Sequence, residues 1–156
     1  MVNSISVEIA LSEERLHDLF AIRNNVFVNE QGVDETAEHD EFEAISTHLI
    51  ALYNNQPAGT CRFRKTESGI KLERFAVLPI YRQLSIGSAL LTHCLSLVDL
   101  DLQIYLHAQV QVEQFYAKHG FVRSGERFEE AGIQHYKMIW RPKEQMNSHS
   151  ILKQAK

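Results

Sequence analysis

The spacing of apolar residues predicts a strand and then a helix at the start of the chain. Residues 4–10 alternate polar and apolar side chains and include several β-branched ones, which is typical of a half-buried strand. Ser12 is suited to cap a helix, and apolar residues follow at helical spacing as far as Phe27. Arg23 is the one charged residue on the predicted inner face.

The middle of the chain predicts three strands, a helix and a fourth strand. Residues 47–53, 58–65 and 70–78 are strand-like segments separated by two short turns, so they predict an antiparallel meander. After Pro79 an apolar stripe at helical spacing predicts a helix, and residues 103–108 return to a strand pattern. A strand, a crossover helix and a second strand of this size usually form a right-handed parallel pair.

The last third predicts a helix over residues 111–119 and a final strand pair, 121–125 and 135–140, joined by a loop over 126–134. The element order predicts a mixed α+β fold with a parallel pair near the middle of its sheet. We expect one domain over residues 1–141 and a polar tail over 142–156. Ligands favour the carboxyl ends of parallel strands close to a helix N-terminus, which here means residues 78–87.

Composition narrows the class of protein. The chain has 156 residues, 44% of them hydrophobic, which suits one globular domain. Sixteen Lys and Arg against 20 Asp and Glu give a net charge of −4. Without a basic run, neither a nucleic acid nor an anionic membrane is an expected partner. The N-terminus lacks an export signal and residues 86–98 are too few to span a bilayer, so the expected location is the cytoplasm.

Cysteine and histidine spacing predicts neither a disulfide nor a metal site. Cys61 and Cys94 lie far apart without the paired spacing of a zinc or redox motif, so both are expected to be reduced and buried. Eight histidines occur, but no H-E-x-x-H or H-x-x-x-H pattern is present. No metal is predicted, and the absence of a G-x-S-x-G elbow speaks against Ser-His-Asp hydrolysis.

Residues 77–87, VLPIYRQLSIG, carry a family resemblance. They resemble the acyl-CoA-binding motif of the GNAT superfamily of N-acetyltransferases, V-x-P-x-Y-R-G-x-G-[IV]-G, which joins a strand to a helix. Gln83 and Ser85 stand where the motif has its first two glycines. Residues 115–121, FYAKHGF, resemble the family sequence F-Y-x-K-x-G-F.

Two further segments resemble a small bacterial branch of the same superfamily. They are VFVNEQG at residues 26–32 and GIQHYKM at 132–138, so the matches span almost the whole chain in the right order. The resemblance implies a mostly antiparallel central sheet with helices on both faces and a central parallel pair splayed to hold acetyl-CoA. It also implies transfer of acetyl directly to a primary amine of a small molecule or peptide. The alternative is a non-catalytic acyl-CoA-binding module, and a homodimer is compatible with the family.

The resemblance implies a set of residues that bind acetyl-CoA. A pyrophosphate is bound by backbone N–H groups at a helix N-terminus, preferably beside a cation. A side chain at 83 or 85 is expected to hinder that approach, or to be held in a left-handed conformation at a cost of about 1 kcal/mol. The candidates are Phe75, Ala76, Val77, Arg82, Gln83, Leu84, Ser85, Ile86, Gly87, Ser88, Gln109, Phe115, Tyr116 and Lys118.

Catalysis needs an acid for the leaving thiolate and a base for the amine. Tyr116 matches the family tyrosine and is the candidate general acid. His135 and Glu73 are the candidate bases: histidine titrates near neutrality, while Glu73 lies on the strand that leads to the cofactor. The structural alternatives are a strand-end histidine bonded to a loop and a cross-strand partner for Arg62 or Arg64. The backbone N–H of Val77 would hold the oxyanion if a bulge frees it.

The sequence gives the fewest indications for the pocket that binds the acceptor amine. Glu30, Gln31 and His107 resemble branch motif residues and are candidates for its lining, with loop capping or a backbone bond as the alternative roles. Residues 34–43 hold six acids, which either attract a cationic acceptor or form a solvated surface.

Overall fold

A computed structural model describes residues 2–142, so the predicted tail beyond Pro142 lies outside the described residues. Its centre is an eight-stranded sheet. The strands are β1 (Ile5–Ile9), β2 (Thr47–Tyr53), β3 (Gln56–Thr66), β4 (Gly69–Val77), β5 (Ile104–Gln109), β6 (Phe121–Arg123), β7 (Phe128–Glu130) and β8 (Ile133–Trp140). Their order across the sheet is β1-β2-β3-β4-β5-β8-β6, with β7 paired to β8. The β4–β5 pair is parallel and the other pairs are antiparallel.

Helices cover both faces of the sheet, as the resemblance implies. The helices are α1 (Glu13–Arg23), α2 (Glu35–Glu38), α3 (Ile86–Leu97) and α4 (Glu113–Lys118). A π-helical segment (Asn24–Glu30) continues α1, and short 3₁₀ turns precede α3 and α4. Alternate residues of β2 separate the two cores: Leu49 and Ala51 pack with α3 and α4, whereas Ile50 and Leu52 pack with α1.

The parallel strands β4 and β5 separate after a short paired stretch. Ile70 to Leu72 of β4 pair with Ile104 to Leu106 of β5. Beyond that point β4 continues beside β3 as far as Val77, while β5 continues beside β8. The gap that opens between them is a wedge-shaped cleft through the sheet, which confirms the expected splayed pair.

A β-bulge reorients β4 at the start of this wedge. The β3–β4 register shifts between Thr60 and Arg62, and Arg74 takes a left-handed φ of 56°. After the extra residue, Phe75 and Val77 pack on the α3 face, where an unbulged strand would place their neighbours. The bulge therefore decides which side chains of β4 reach the cleft.

Two segments differ from their predictions. The loop predicted over residues 126–134 is wrong, because the chain there forms the hairpin β7–β8 around Ala131 and Gly132. Both turn residues have positive φ, 52° and 76°, as a two-residue hairpin turn requires. The helix predicted to continue as far as Phe27 is α-helical only to Arg23 and goes on as the π segment. The acidic residues 34–43 include the short helix α2.

Candidate active site

The wedge between β4 and β5 is a cleft of about 1080 Å³. Its walls come from the π segment and α2, from β4 and the turn that enters α3, and from β5, α4 and the β7–β8 hairpin. Side chains on the α3 face, among them Tyr116, belong to one core cluster. His107 and His135 alternate with residues of that cluster and so lie on the opposite face. The cleft is therefore reached from both faces of the sheet.

Residues 82–85 form the turn that leads into α3, here called the α3 entry turn. Its backbone is left-handed at the two positions where the family motif has its first two glycines. Gln83 has φ 63° and Ser85, the N-cap of α3, has φ 68°. This confirms the expectation that the side chains are accommodated by backbone strain. Ile86, Gly87 and Ser88 follow in the first turn of α3 and line the cleft. Their backbone N–H groups have no partners within the helix and are suited to an anionic ligand.

Arg82 is paired with Glu30 across the mouth of the cleft. Its Nη2 and Nη1 lie 2.6 and 2.7 Å from the two carboxylate oxygens of Glu30, and its Nε donates to the carbonyl of Val77 at 3.0 Å. The ion pair raises the pKa of Arg82 and lowers the pKa of Glu30. Both line the cleft, as predicted, but each neutralises the other.

The amide of Val77 points into the wedge. The amide of the next residue, Leu78, donates to the carbonyl of Ala58 beside β3 at 2.9 Å. In an antiparallel ladder successive amides alternate sides, so the N–H and C=O of Val77 point away from β3. The bond from Arg82 to the Val77 carbonyl fits this orientation.

Tyr116 is enclosed by aromatic rings. Its ring makes edge contacts with Phe75, Phe115 and Phe121 at centroid distances of 5.8, 5.0 and 6.0 Å. Burial raises the pKa of the Tyr116 phenol above its usual value, and the nearby thiols of Cys61 and Cys94 add to the effect. The phenol thus stays protonated at neutral pH.

Glu73 is held by three cations, which argues against its candidate role as a base. It lies 2.8 Å from Nε of Arg62, 3.0 Å from Nε of Arg64 and 3.0 Å from Nζ of Lys71. Burial raises its pKa, but the hydrogen bond from Arg64 and the charges of Arg62 and Lys71 outweigh burial and lower it to about 2. A carboxylate with that pKa takes up a proton poorly near pH 7. The contacts of Glu73 are those of the structural alternative, a cross-strand partner of Arg62 and Arg64.

His135 and His107 lie on either side of one carboxylate. Nδ1 of His107 is 3.3 Å from one oxygen of Glu130, and Nε2 of His135 is 3.8 Å from the other. Nδ1 of His135 lies 2.7 Å from the carbonyl of Ile133. Glu130 lines the same cleft and was missed by the sequence analysis, because it falls in the segment read as a loop.

Gln31 joins the two sides of the cleft through Gln109. Each side-chain amide donates to the other, at 2.9 and 3.2 Å, and Gln111 donates to Gln109 at 2.7 Å. All three line the cleft. Of the residues proposed to bind acetyl-CoA, Leu84 and Lys118 are the two that do not contribute to the cleft lining.

Comparison with known proteins identifies the family. The model of an acetyltransferase (GNAT) domain matches residues 9–142. The chain belongs to the GNAT acetyltransferase family. The sequence resemblance is therefore confirmed.

Individual GNAT relatives match nearly the whole chain. The uncharacterized N-acetyltransferase YjcF of Bacillus subtilis is 38% identical over 135 residues, which cover 84% of this chain and 96% of YjcF. An acyl-CoA N-acyltransferase from Pseudomonas aeruginosa superimposes with a TM-score of 0.75 at 26% identity, covering 88% of this chain and 99% of its own. Arabidopsis thaliana Naa50, in complex with the bisubstrate analogue CoA-Ac-MVNAL, gives 0.65 at 26% identity and coverages of 87% and 97%.

Several acidic side chains near the cleft form ion pairs with buried arginines. Glu38 and Glu43 bind the buried Arg23, while Asp40 and Glu43 bind the buried Arg62. Because these three carboxylates pair with buried arginines, they do not form the solvated surface that was one of the two predicted roles of the acidic run. In the described part of the chain no group of three or more His, Cys, Asp or Glu is arranged to bind a metal. Among residues 2–142 no helix is long and apolar enough to cross a bilayer.

Proposed function

We propose that this GNAT protein is an acetyl-CoA-dependent N-acetyltransferase that transfers acetyl directly to a primary amine of a small molecule or peptide. The observation that carries the proposal is the wedge between β4 and β5. A phenol reaches it from one face of the sheet and an imidazole from the other, so an acid and a base face one cleft from opposite sides.

The chain's own groups suit acetyl-CoA. The first turn of α3 offers N–H groups for a pyrophosphate, and the amide of Val77 points into the wedge along the open edge of β4. A cleft of about 1080 Å³ has room for a pantetheine arm and an acceptor. The Naa50 complex, whose ligand joins CoA to a peptide, supports a cleft that accepts both together.

When bound, acetyl-CoA supplies an activated acetyl group as a thioester. The Val77 amide is suited to donate to the thioester oxygen as negative charge develops there. Tyr116 remains protonated and is suited to give its proton to the leaving sulfur. His135 is suited to take a proton from the amine.

Direct transfer is favoured over a covalent acyl-enzyme. Burial raises the pKa of the Cys61 thiol well above its usual value, and the neighbouring Cys94 thiol adds to the shift. Both cysteines are free and buried, as predicted, so neither has the exposed electropositive setting of a nucleophilic thiolate.

The alternative function is a non-catalytic acyl-CoA-binding module. Gln83 and Ser85 favour it, because they replace the first two glycines of the acetyltransferase motif. An acid beside the thioester favours catalysis, since a pure binding module has no use for one.

Replacing Tyr116 by Phe separates the two functions. We expect turnover, measured as thiol release from acetyl-CoA with a panel of amines, to fall about 10²-fold to 10⁴-fold. The dissociation constant for acetyl-CoA, measured by calorimetry, should change little. The matched control is Tyr53→Phe, which removes a hydroxyl outside the cleft lining and should retain activity.

The outcomes of this experiment are distinct. Full turnover in Tyr116→Phe would contradict the assignment of the general acid. Binding of acetyl-CoA without thiol release from any amine, in the unaltered protein, would favour the binding module.

A further inference from the structure

One carboxylate on the acceptor side of the cleft is placed between two imidazoles. Glu130 is contributed by the β7–β8 hairpin and lies 3.3 Å from Nδ1 of His107 and 3.8 Å from Nε2 of His135. The ring of Phe128 packs against both histidines, at centroid distances of 4.9 and 5.8 Å. This packing fixes the two rings relative to the carboxylate.

The bonding of His135 defines which of its nitrogens is available. The carbonyl oxygen of Ile133 can only accept, so Nδ1 of His135, 2.7 Å away, is the donor. In the neutral ring, Nε2 then carries a lone pair. Nε2 and the second oxygen of Glu130 are two acceptors that face each other across 3.8 Å. A pair of acceptors in this arrangement is completed by a group that donates to both.

Glu130 remains an anion that ligands can reach. The hydrogen bond from His107 lowers its pKa despite partial burial, and the charges of His107 and Lys71 act in the same direction. Its side chain is 45% exposed in the cleft. An ammonium group carries both the positive charge that a carboxylate attracts and the several N–H donors that two acceptors require.

We propose that Glu130 binds the ammonium group of the acceptor, and that the acceptor is therefore a primary alkylamine that is cationic at neutral pH. The inference rests on the proposed acetyltransferase function and assigns its acceptor class. Glu130 orients the ammonium so that one of its N–H groups points at Nε2 of His135.

The proton balance of the transfer fits these positions. The ammonium loses one proton to Nε2 of His135, which passes it to solvent. The amide C–N bond then forms as the C–S bond breaks, and the sulfur takes the proton of Tyr116. The second proton of the amine restores the phenol, so one proton is released for each acetyl transferred.

The test compares two adjacent glutamates of the same strand. Glu130→Gln removes the charge that faces the cleft, whereas Glu129→Gln makes the same change on an exposed neighbour outside the cleft lining. Calorimetry of the CoA-loaded protein would use 2-phenylethylamine and its uncharged analogue 2-phenylethanol. Because this measures binding, it does not depend on turnover.

The expected result is a selective loss. The unaltered protein should prefer the amine to the alcohol, and Glu130→Gln should weaken amine binding by about 10-fold to 100-fold, as expected for a hydrogen bond to a charged group. Glu129→Gln should match the unaltered protein, Glu130→Asp should recover part of the affinity, and affinity for CoA should be constant throughout.

Turnover supplies the second readout. In the thiol-release assay, Glu130→Gln should raise KM for 2-phenylethylamine by a similar factor with a smaller change in kcat. Equal binding of amine and alcohol, or an amine affinity unchanged by Glu130→Gln, would overturn the assignment of Glu130. Selective amine binding without thiol release from any amine of the panel would instead refute the acetyltransferase function and retain Glu130 as an ammonium site.

Discussion

The residues of the α3 entry turn show how a glycine-rich motif tolerates side chains. A left-handed backbone costs a residue with a Cβ roughly 1–2 kcal/mol. Gln83 and Ser85 both adopt it, and Ser85 makes no side-chain hydrogen bond as the N-cap of α3 to offset the cost. The strain lies in the cleft lining, where strained backbone is often retained for function.

Relieving this strain should stabilise the protein. Ser85→Gly removes the Cβ but adds freedom to the unfolded chain, which costs about 0.5–1 kcal/mol. The net expectation is a gain of about 0.5–1 kcal/mol in the free energy of unfolding, measured with urea. Affinity for acetyl-CoA should be retained or increased, because the amides of the turn become more accessible.

The matched control is Ser88→Gly, in the regular first turn of the same helix. Glycine there has no strain to relieve and should destabilise the protein by up to about 1 kcal/mol. Two Ser→Gly changes three residues apart should thus have opposite signs. A loss of stability in both would show that Ser85 is not strained.

At the scale of elements, the position in which α3 packs on the sheet depends on Gly59 of β3. A Cβ at this position would lie 2.9 Å from Cγ2 of Ile86 and 3.0 Å from the carbonyl oxygen of Ala76. The first residue of α3 is thereby held against the strands that form the cleft. The position of the helix N-terminus is set by a glycine outside the recognised motif.

Gly59→Ala should therefore displace α3. We expect a loss of about 1–3 kcal/mol in the free energy of unfolding, as for other overpacked cores. Affinity for acetyl-CoA should fall as well, because the displaced turn carries the amides proposed to bind the pyrophosphate. Urea unfolding and calorimetry measure the two effects.

Gly87→Ala provides the comparison. Its added Cβ would lie 3.3 Å from Cζ of Phe115, the far end of a ring that can shift, and alanine favours the helix. We expect a much smaller change in stability than for Gly59→Ala. Equal effects would mean that the contact with Ile86 is no tighter than an ordinary one.

The elements that the sequence predicted, and those it did not, differ in their local signals. The hairpin between β2 and β3 has Asn54 and Asn55 in its turn, both left-handed as asparagine readily is. The hairpin between β7 and β8 turns at Ala131 and Gly132, and alanine gives no such signal. Because this hairpin was not predicted, Glu130 was not among the predicted site residues.

No residue in the sequence indicated the bulge in β4. A bulge often has glycine at its left-handed position, but here Arg74 occupies it. A bulge entered the sequence analysis only as the condition under which the Val77 amide would hold the oxyanion. The place of the bulge follows from tertiary packing and had to be observed.

At the scale of the whole molecule, a buried ion network joins the N-terminal segment to the sheet. Arg23 of α1 and Arg62 of β3 are each 1% exposed, and the Glu43 carboxylate binds both. Asp40 and Glu73 also form ion pairs with Arg62. A run of acids in a sequence resembles a solvated loop unless the arginines that it binds, distant in the chain, are known to be near.

This network should make the protein sensitive to acid. Burial raises the pKa of Asp40 and of Glu43, but hydrogen bonds and charges of Arg62 and Arg23 outweigh burial and lower each to about 2. A carboxylate with a lowered pKa in the folded state stabilises it above the unfolded-state pKa, here about 4, and the contribution is lost as the pH falls toward 2. The contribution of this network to stability should be nearly constant from pH 7 to 5 and fall steeply below 4.5.

Two neighbouring glutamates allow this origin to be tested. Glu43→Gln removes one group that must be protonated, so the slope of unfolding free energy against pH below pH 4.5 should decrease by up to about 1.4 kcal/mol per pH unit. Glu41→Gln alters an exposed neighbour and should leave the slope unchanged. If loss of a buried partner leaves Glu43→Gln unfolded at neutral pH, Asp40→Asn tests the same network at a more exposed carboxylate. Equal slopes for the Glu41 and network variants would place the acid sensitivity elsewhere in the molecule.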